Sequence, residues 1–109
     1  MALIQWQTKA KKHLKSIFDY YKKNASLEVA FAMLNAIVSP VDRLEEFPRS
    51  GVEDHELSDK NHTYYYLIAK KGKRIYRIYY IYENETCYIL AIWDCSMNPS
   101  KRKPSVTRI

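Results

Sequence analysis

The sequence predicts an α+β domain in which a helix hairpin packs on one face of a small antiparallel sheet. One short strand-like stretch and two amphipathic stretches precede three strand-like runs, and runs of helices followed by runs of strands are typical of this class. The chain has 109 residues, 47% of them hydrophobic and 28% charged, which is an ordinary balance for one globular domain. We expect a single domain over residues 1–95 and a basic C-terminal tail over residues 96–109.

The first helix follows an opening strand that we place at Leu3 to Gln7. Thr8 is the expected N-cap, and the helix is expected to end near Asn24. Its apolar residues recur at helical spacing, namely Ala10, Leu14, Ile17, Phe18 and Tyr21. Because six lysines cover the other side, the pattern predicts an amphipathic helix of about four turns.

The second helix is expected to begin after Ser26, which can cap it. Its predicted apolar stripe consists of Leu27, Ala30, Phe31, Leu34, Ile37 and Val41. Pro40 cannot donate a backbone hydrogen bond, so it either kinks this helix or starts another turn. The helical stretch that continues past Pro40 is expected to end at Pro48. Because the link between the helices is very short, they are expected to form an antiparallel hairpin.

Three strand-like runs follow a polar loop that we expect over residues 49–62. The runs cover residues 64–70, 74–82 and 85–94, and the two links between them are short, which predicts an antiparallel meander. The third run is apolar on both faces, with Cys87, Ile89, Ala91 and Trp93 expected on one and Tyr88, Leu90 and Ile92 on the other. Such a strand is usually central.

The formal net charge of +6 is unevenly distributed along the chain. Both ends are basic and the middle is acidic, which is compatible with an acidic partner such as nucleic acid, or with solubility alone. No apolar run is long enough to cross a membrane and the start does not suit a signal peptide, so we expect a cytoplasmic protein without membrane contact. Cys87 and Cys95 lie too far apart on one strand for a disulfide, and no spacing suggests a metal or cofactor.

Three stretches of the sequence resemble the RelE/ParE superfamily of bacterial type II toxins. They are residues 44–51 (LEEFPRSG), residues 76–81 (YRIYYI) and the closing run of residues 89–99. The resemblance covers roughly residues 4–99 and implies a βααβββ fold. It also implies a growth-inhibiting toxin that is neutralised by an antitoxin encoded beside it. One branch of the superfamily cuts mRNA in the ribosomal A site, and the other poisons DNA gyrase without nuclease activity.

The first functional hypothesis is a metal-independent endoribonuclease that acts on ribosome-bound mRNA. RNA cleavage by the substrate's own 2′-OH needs a base, an acid and cations for the phosphate. Arg77 stands at the family's strand arginine and would bind the phosphate, and Asp94 is the candidate base. The predicted RNA contacts are Lys70, Lys71, Lys73, Arg74 and Arg49, with Tyr65 stacking on a base.

The alternatives are a gyrase inhibitor and a binding domain or decayed toxin without catalysis. Related nucleases often carry His, Tyr or Arg just after the last strand, whereas this chain has Ser96 and Met97 there. The general acid therefore has no clear candidate. Arg77 is equally compatible with a solvated strand position or a salt bridge, and Asp94 with the end of a strand. The expected partners are a cognate antitoxin and the ribosome with its mRNA, or DNA gyrase in place of the ribosome.

Overall fold

The fold was analysed in a computed structural model, which describes residues 1–95. The elements follow in the order β1 (Leu3–Trp6), α1 (Thr8–Asn24), α2 (Leu27–Asp42), a 3₁₀ turn (Arg43–Glu45), β2 (Val52–Glu53), β3 (Tyr64–Lys71), β4 (Arg74–Glu83) and β5 (Thr86–Asp94). The α+β class is confirmed, with both helices packed against the sheet. The predicted tail of residues 96–109, which includes the last residues of the closing run, lies outside the described residues.

The sheet has five strands in the order β1-β5-β4-β3-β2. β3, β4 and β5 form the expected antiparallel meander, but β1 pairs with β5 in parallel, so the sheet is mixed rather than purely antiparallel. Hydropathy does not determine the direction of an edge strand, which explains this difference. The two residues of β2, which pair with Tyr65 and Tyr66, lie within the stretch that was expected to be a loop. Two residues are too few to show a periodic hydrophobic pattern.

The helix hairpin matches the predicted limits but not every predicted detail. Ser26 caps α2, since its hydroxyl oxygen accepts a hydrogen bond from the Val29 N–H at 3.0 Å. The expected cap at Thr8 is wrong, because Gln7 occupies the N-cap position and makes no side-chain cap bond. α2 runs through Pro40 to Asp42 before it tightens into the 3₁₀ turn. Because Pro40 has no N–H, α2 lacks the hydrogen bond that this position would otherwise donate to the Ala36 carbonyl.

The buried side of α2 differs from the predicted stripe. α2 buries Ala30, Met33, Ile37 and Val41, whereas Leu27 and Phe31 are about half exposed, at 51% and 53%. The Phe31 ring packs edge-on against Phe18 of α1, with the ring centroids 5.1 Å apart. The two helices therefore carry a second apolar contact on their outer side.

The main core lies between the helices and one face of the sheet, which we call the helix face. It contains Tyr76, Ile78 and Tyr80 of β4 together with Ile89 and Ile92 of β5. A register shift opposite Tyr79 and Tyr80 places one extra residue in β5, and this β-bulge reverses the alternation beyond it. The predicted grouping of Ala91 and Trp93 with Cys87 and Ile89 is therefore wrong.

The other face of the sheet, which we call the open face, carries a smaller cluster at one end. Tyr64, Ile81 and Leu90 are buried there, and Leu57 from the loop after β2 packs against them. Both cysteines are free thiols, and burial raises the pKa of Cys87 to about 11. Among residues 1–95, the helices are too short or too polar to span a bilayer.

Candidate functional site

Arg77 projects from β4 onto the open face, where two tyrosines hold it. Its guanidinium carbon lies 4.2 Å above the centre of the Tyr66 ring, and its Nη1 donates a hydrogen bond to the Tyr79 hydroxyl at 3.4 Å. The hydrogen bond with Tyr79 raises the pKa of Arg77, and burial raises the pKa of Tyr79. The site therefore presents a permanently charged, planar cation on an aromatic support, an arrangement suited to carboxylate or phosphate groups.

The surroundings of Arg77 on the open face are partly apolar. Ile68 is opposite Arg77 on β3 and is 54% exposed, while Ile75 lies two residues earlier on β4 and is 36% exposed. Lys70 pairs with Ile75 and is also exposed. We call this group of Tyr66, Ile68, Lys70, Ile75 and Arg77 the open-face patch. Exposed aliphatic side chains beside Arg and Tyr are typical of protein-binding surfaces.

Asp94 occupies a different environment on the helix face. Its carboxylate accepts a hydrogen bond from Arg74 Nη1 at 3.2 Å. The two side chains line a groove of about 420 Å³ between the sheet and α1, where the Tyr21 and Tyr76 hydroxyls are 3.4 Å apart. Burial raises the pKa of Tyr76, and the hydrogen bond with Tyr21 raises it further. The Tyr76 phenol therefore remains neutral across the physiological pH range.

The structure does not bring the two predicted catalytic residues together. Arg77 pairs with Trp93 across β4 and β5, and Asp94 is the next residue along β5. Because successive side chains on a strand point to opposite faces, Arg77 lies on the open face and Asp94 on the helix face. Each side chain also has its own partner there, so Asp94 is not positioned to act with Arg77 on one phosphate.

The predicted RNA-binding residues are distributed over separate surfaces. Lys71 pairs with Arg74 at the end of the β3–β4 hairpin, and Lys73 lies in the turn. Arg49 is near the other end of β4, with its guanidinium 4.8 Å from the centre of the Tyr82 ring. Tyr65 lies on the helix face and stacks on Tyr80 at 5.3 Å. One face of the Tyr65 ring is therefore already occupied by a protein side chain.

The three histidines occupy three different environments. His55 is exposed and lies 3.1 Å from the Glu53 carboxylate. His62 is mostly buried and pairs with Glu83. His13 is half-buried, and its Nδ1 accepts a hydrogen bond from the Ile92 N–H at 3.0 Å. Within residues 1–95, no group of three or more His, Cys, Asp or Glu side chains is arranged to hold a metal ion.

Sequence reasoning singled out Arg77 but did not identify its partner Tyr66. The signal was available in the hairpin, because a two-residue turn at Gly72 and Lys73 fixes Tyr66 opposite Tyr79. Alternation then places Tyr79 beside Arg77 on the same face. The role of His13 had no comparable signal, since it depends on where β1 ends relative to β5.

The helix hairpin packed on one face of a five-stranded mixed sheet defines a small α+β protein. The family model described as "ParE toxin of type II toxin-antitoxin system, parDE" matches residues 4–99. A solved structure described as a chromosomal ParDE toxin–antitoxin system from P. aeruginosa superposes with a TM-score of 0.68 at 20% sequence identity, covering 86% of this chain and 96% of that chain. No curated protein sequence gives a significant match.

This chain therefore belongs to the ParE toxin family of type II toxin–antitoxin systems, within the RelE/ParE superfamily. Membership of such a system implies a cognate antitoxin as a partner. The structural similarity supports the fold, and the match over residues 4–99 carries the assignment to the family.

Proposed function

We propose that this protein inhibits growth in the bacterial cytoplasm by binding DNA gyrase, and that it does not cleave mRNA. The observation that carries the proposal is the separation of Arg77 and Asp94 on opposite faces of the sheet. The family match is consistent with it, because the ParE branch is the one whose members act on gyrase.

The positions of Asp94, His13 and His62 argue against acid–base catalysis by these three groups beside Arg77. A general base must lie within hydrogen-bond reach of the proton it removes. The Asp94 carboxylate instead accepts from Arg74 on the helix face. The imidazole of His13 accepts a backbone hydrogen bond, and that of His62 pairs with Glu83. These groups therefore have partners away from Arg77.

The open-face patch supplies the features that a protein contact requires. Arg and Tyr contribute disproportionately to interface energies because they combine large contact area with hydrogen bonding. Arg77 is held by Tyr66 and Tyr79 before any partner arrives, so little side-chain entropy is lost when it meets a carboxylate. Ile68 and Ile75 add apolar area beside it.

The proposal is tested by assaying gyrase and mRNA with the same purified protein. We expect wild-type protein to inhibit supercoiling by gyrase and to leave mRNA intact on translating ribosomes. Arg77→Ala should weaken gyrase inhibition at least about tenfold, in the range of an interface hot spot. Asp94→Asn is the matched control, since it changes one charge on the other face, and it should retain inhibition within about threefold.

Two results would overturn the proposal. Cuts in the ribosomal A site that disappear in Arg77→Ala would establish the nuclease hypothesis instead. Folded wild-type protein that leaves gyrase and mRNA unaffected would support a non-catalytic or decayed member of the family.

A further inference from the structure

The charged side chains of the described residues are segregated between two ends of the molecule. The end at the β3–β4 hairpin carries six cations, which we call the basic end: Lys22, Lys23, Lys70, Lys71, Lys73 and Arg74. The opposite end carries seven carboxylates, which we call the acidic end: Asp42, Glu45, Glu46, Glu53, Asp54, Glu83 and Glu85. Arg43 and Arg49 lie at the acidic end and Lys60 lies in the loop that precedes β3 there, so the segregation is strong rather than complete.

The strand directions place these two groups far apart. β4 runs for ten residues from Arg74 to Glu83, a length of about 33 Å at the usual rise. The hairpin turn precedes Arg74, and the turn into β5 follows Glu83. The 3₁₀ turn belongs to the acidic end, because the Glu45 carbonyl accepts a backbone hydrogen bond from Ala2 just before β1, where Leu3 pairs with Thr86.

The end of α1 joins the hairpin at the basic end. Tyr21 and Tyr76 bring their hydroxyls to 3.4 Å, and the groove between them includes Tyr20 and Arg74. Lys22 and Lys23 directly follow on the last turn of α1 and are exposed, as are Lys71 and Lys73. Helix and hairpin together therefore present lysines from two rigid elements to the same side of the molecule.

The acidic residues near this end neutralise only part of its charge. Asp94 accepts from Arg74, and Glu28 lies in the first turn of α2. Asp19 pairs with Lys15 at 2.6 Å. A polyanion that approached the molecule would therefore be attracted to the basic end and repelled by the acidic end, which fixes its orientation.

We propose that the basic end binds the phosphate backbone of duplex DNA without reading its sequence. The choice of duplex DNA rests on the proposed function, since gyrase acts on a DNA duplex and a protein bound to gyrase can meet that duplex. Lysine ammonium groups suit this role because each acts as a mobile point charge toward a phosphate. The open-face patch would contact the enzyme while the basic end contacts its DNA, with Lys70, which belongs to both surfaces, at their boundary.

The experiment measures binding of a fluorescein-labelled, mixed-sequence DNA duplex by anisotropy at several salt concentrations. The test variant combines K22Q, K23Q, K71Q and K73Q. The matched control combines K11Q, K12Q, R43Q and K60Q, which removes the same charge elsewhere. Far-UV circular dichroism and thermal unfolding confirm that both variants are folded.

We expect the test variant to bind DNA at least about tenfold more weakly than wild type, and the control to bind within about threefold. The slope of log K against log salt should become less steep by about 0.9 for each phosphate that the variant no longer neutralises. Equal weakening in both variants would assign the effect to net charge and overturn the proposal. Absence of binding by wild type, or about tenfold tighter binding of an RNA duplex, would overturn it as well.

A parallel gyrase assay separates this proposal from the proposed function. DNA binding that depends on the basic end, without inhibition of gyrase, would support the surface and contradict the gyrase target. Inhibition of gyrase without measurable DNA binding would support the target and contradict the surface.

Discussion

At the scale of single residues, Gly51 is placed where a side chain has no room. Its N–H donates to the buried Tyr80 hydroxyl at 2.9 Å, and a Cβ at this position would lie 2.6 Å from that oxygen and 2.9 Å from the Tyr66 carbonyl oxygen. We expect Gly51→Ala to lower the free energy of unfolding by about 1–3 kcal/mol, as overpacking does. Urea denaturation measures this, with the neighbouring exposed Ser50→Ala as a control that should change little. Equal midpoints for the two variants would contradict the close approach.

His13 gives the fold a pH-dependent contribution at the same scale. Its Nδ1 accepts from the Ile92 N–H, so the proton of the neutral ring is on Nε2. Burial lowers the pKa of His13 below 6.5, and Lys9 lowers it further. The stabilisation is therefore fully present above about pH 6.5 and is lost as the pH falls through the folded-state pKa.

The matched variant for this effect is His13→Asn, whose Oδ1 can replace Nδ1 as the acceptor without titrating near neutral pH. Urea midpoints are compared at about pH 7.5 and about pH 5.0, on either side of the ordinary histidine pKa. Wild type should lose more stability than His13→Asn between these pH values. All other side chains are the same in both proteins, so a difference that does not change with pH would contradict this account.

The residues also show where sequence reasoning reaches its limit. Strand alternation is enough to place Arg77 and Tyr79 on one face, and the structure has them in contact. The interaction of His13 with Ile92 could not be predicted, because β1 ends opposite Ile89 and leaves the following edge of β5 open to α1. That geometry follows from strand register, which the sequence near His13 does not encode.

At the scale of elements, the two helix starts offer a direct comparison of capping. Ser26 accepts from the Val29 N–H, whereas Thr8 lies inside α1 and Gln7 makes no side-chain cap bond. We expect Ser26→Ala to lower the free energy of unfolding by about 1 kcal/mol. Thr8→Ala should be neutral or slightly stabilising, because Thr8 lies inside α1 and alanine has the higher helix propensity. Thermal unfolding of both variants tests this, and a larger loss for Thr8→Ala would show that the helix start is misassigned.

The elements were predictable to different degrees for physical reasons. The long periodic elements α1, α2, β3, β4 and β5 follow from hydrophobic spacing that tertiary contacts do not override. The bulge in β5 depends on the match between two strands, and it moves Ala91 and Trp93 to the open face. The outer position of Phe31 depends on Phe18 of the other helix, which a single-helix pattern does not show.

At the scale of the whole molecule, the order of elements was predictable but the assembly of the site was not. The pairing of β4 with β5 brings the backbones of Arg77 and Asp94 close together, since Trp93 opposite Arg77 directly precedes Asp94. The bulge in β5 decides which face of the sheet the Asp94 side chain occupies. The candidate nuclease site therefore depended on one residue of strand register, the quantity that sequence patterns specify least well within a strand that is buried on both faces.

The division between the two faces can be measured as an absence of energetic coupling. In a double-mutant cycle, Arg77→Ala and Asp94→Asn should change the unfolding free energy additively, within about 0.5 kcal/mol, because their side chains have separate partners. Arg74→Ala and Asp94→Asn should not be additive, because they remove the two partners of one hydrogen bond. Urea denaturation of the three single and two double variants gives both coupling energies. A coupling of Arg77 with Asp94 that exceeded that of Arg74 with Asp94 would place the first pair on one face and reopen the case for joint catalysis.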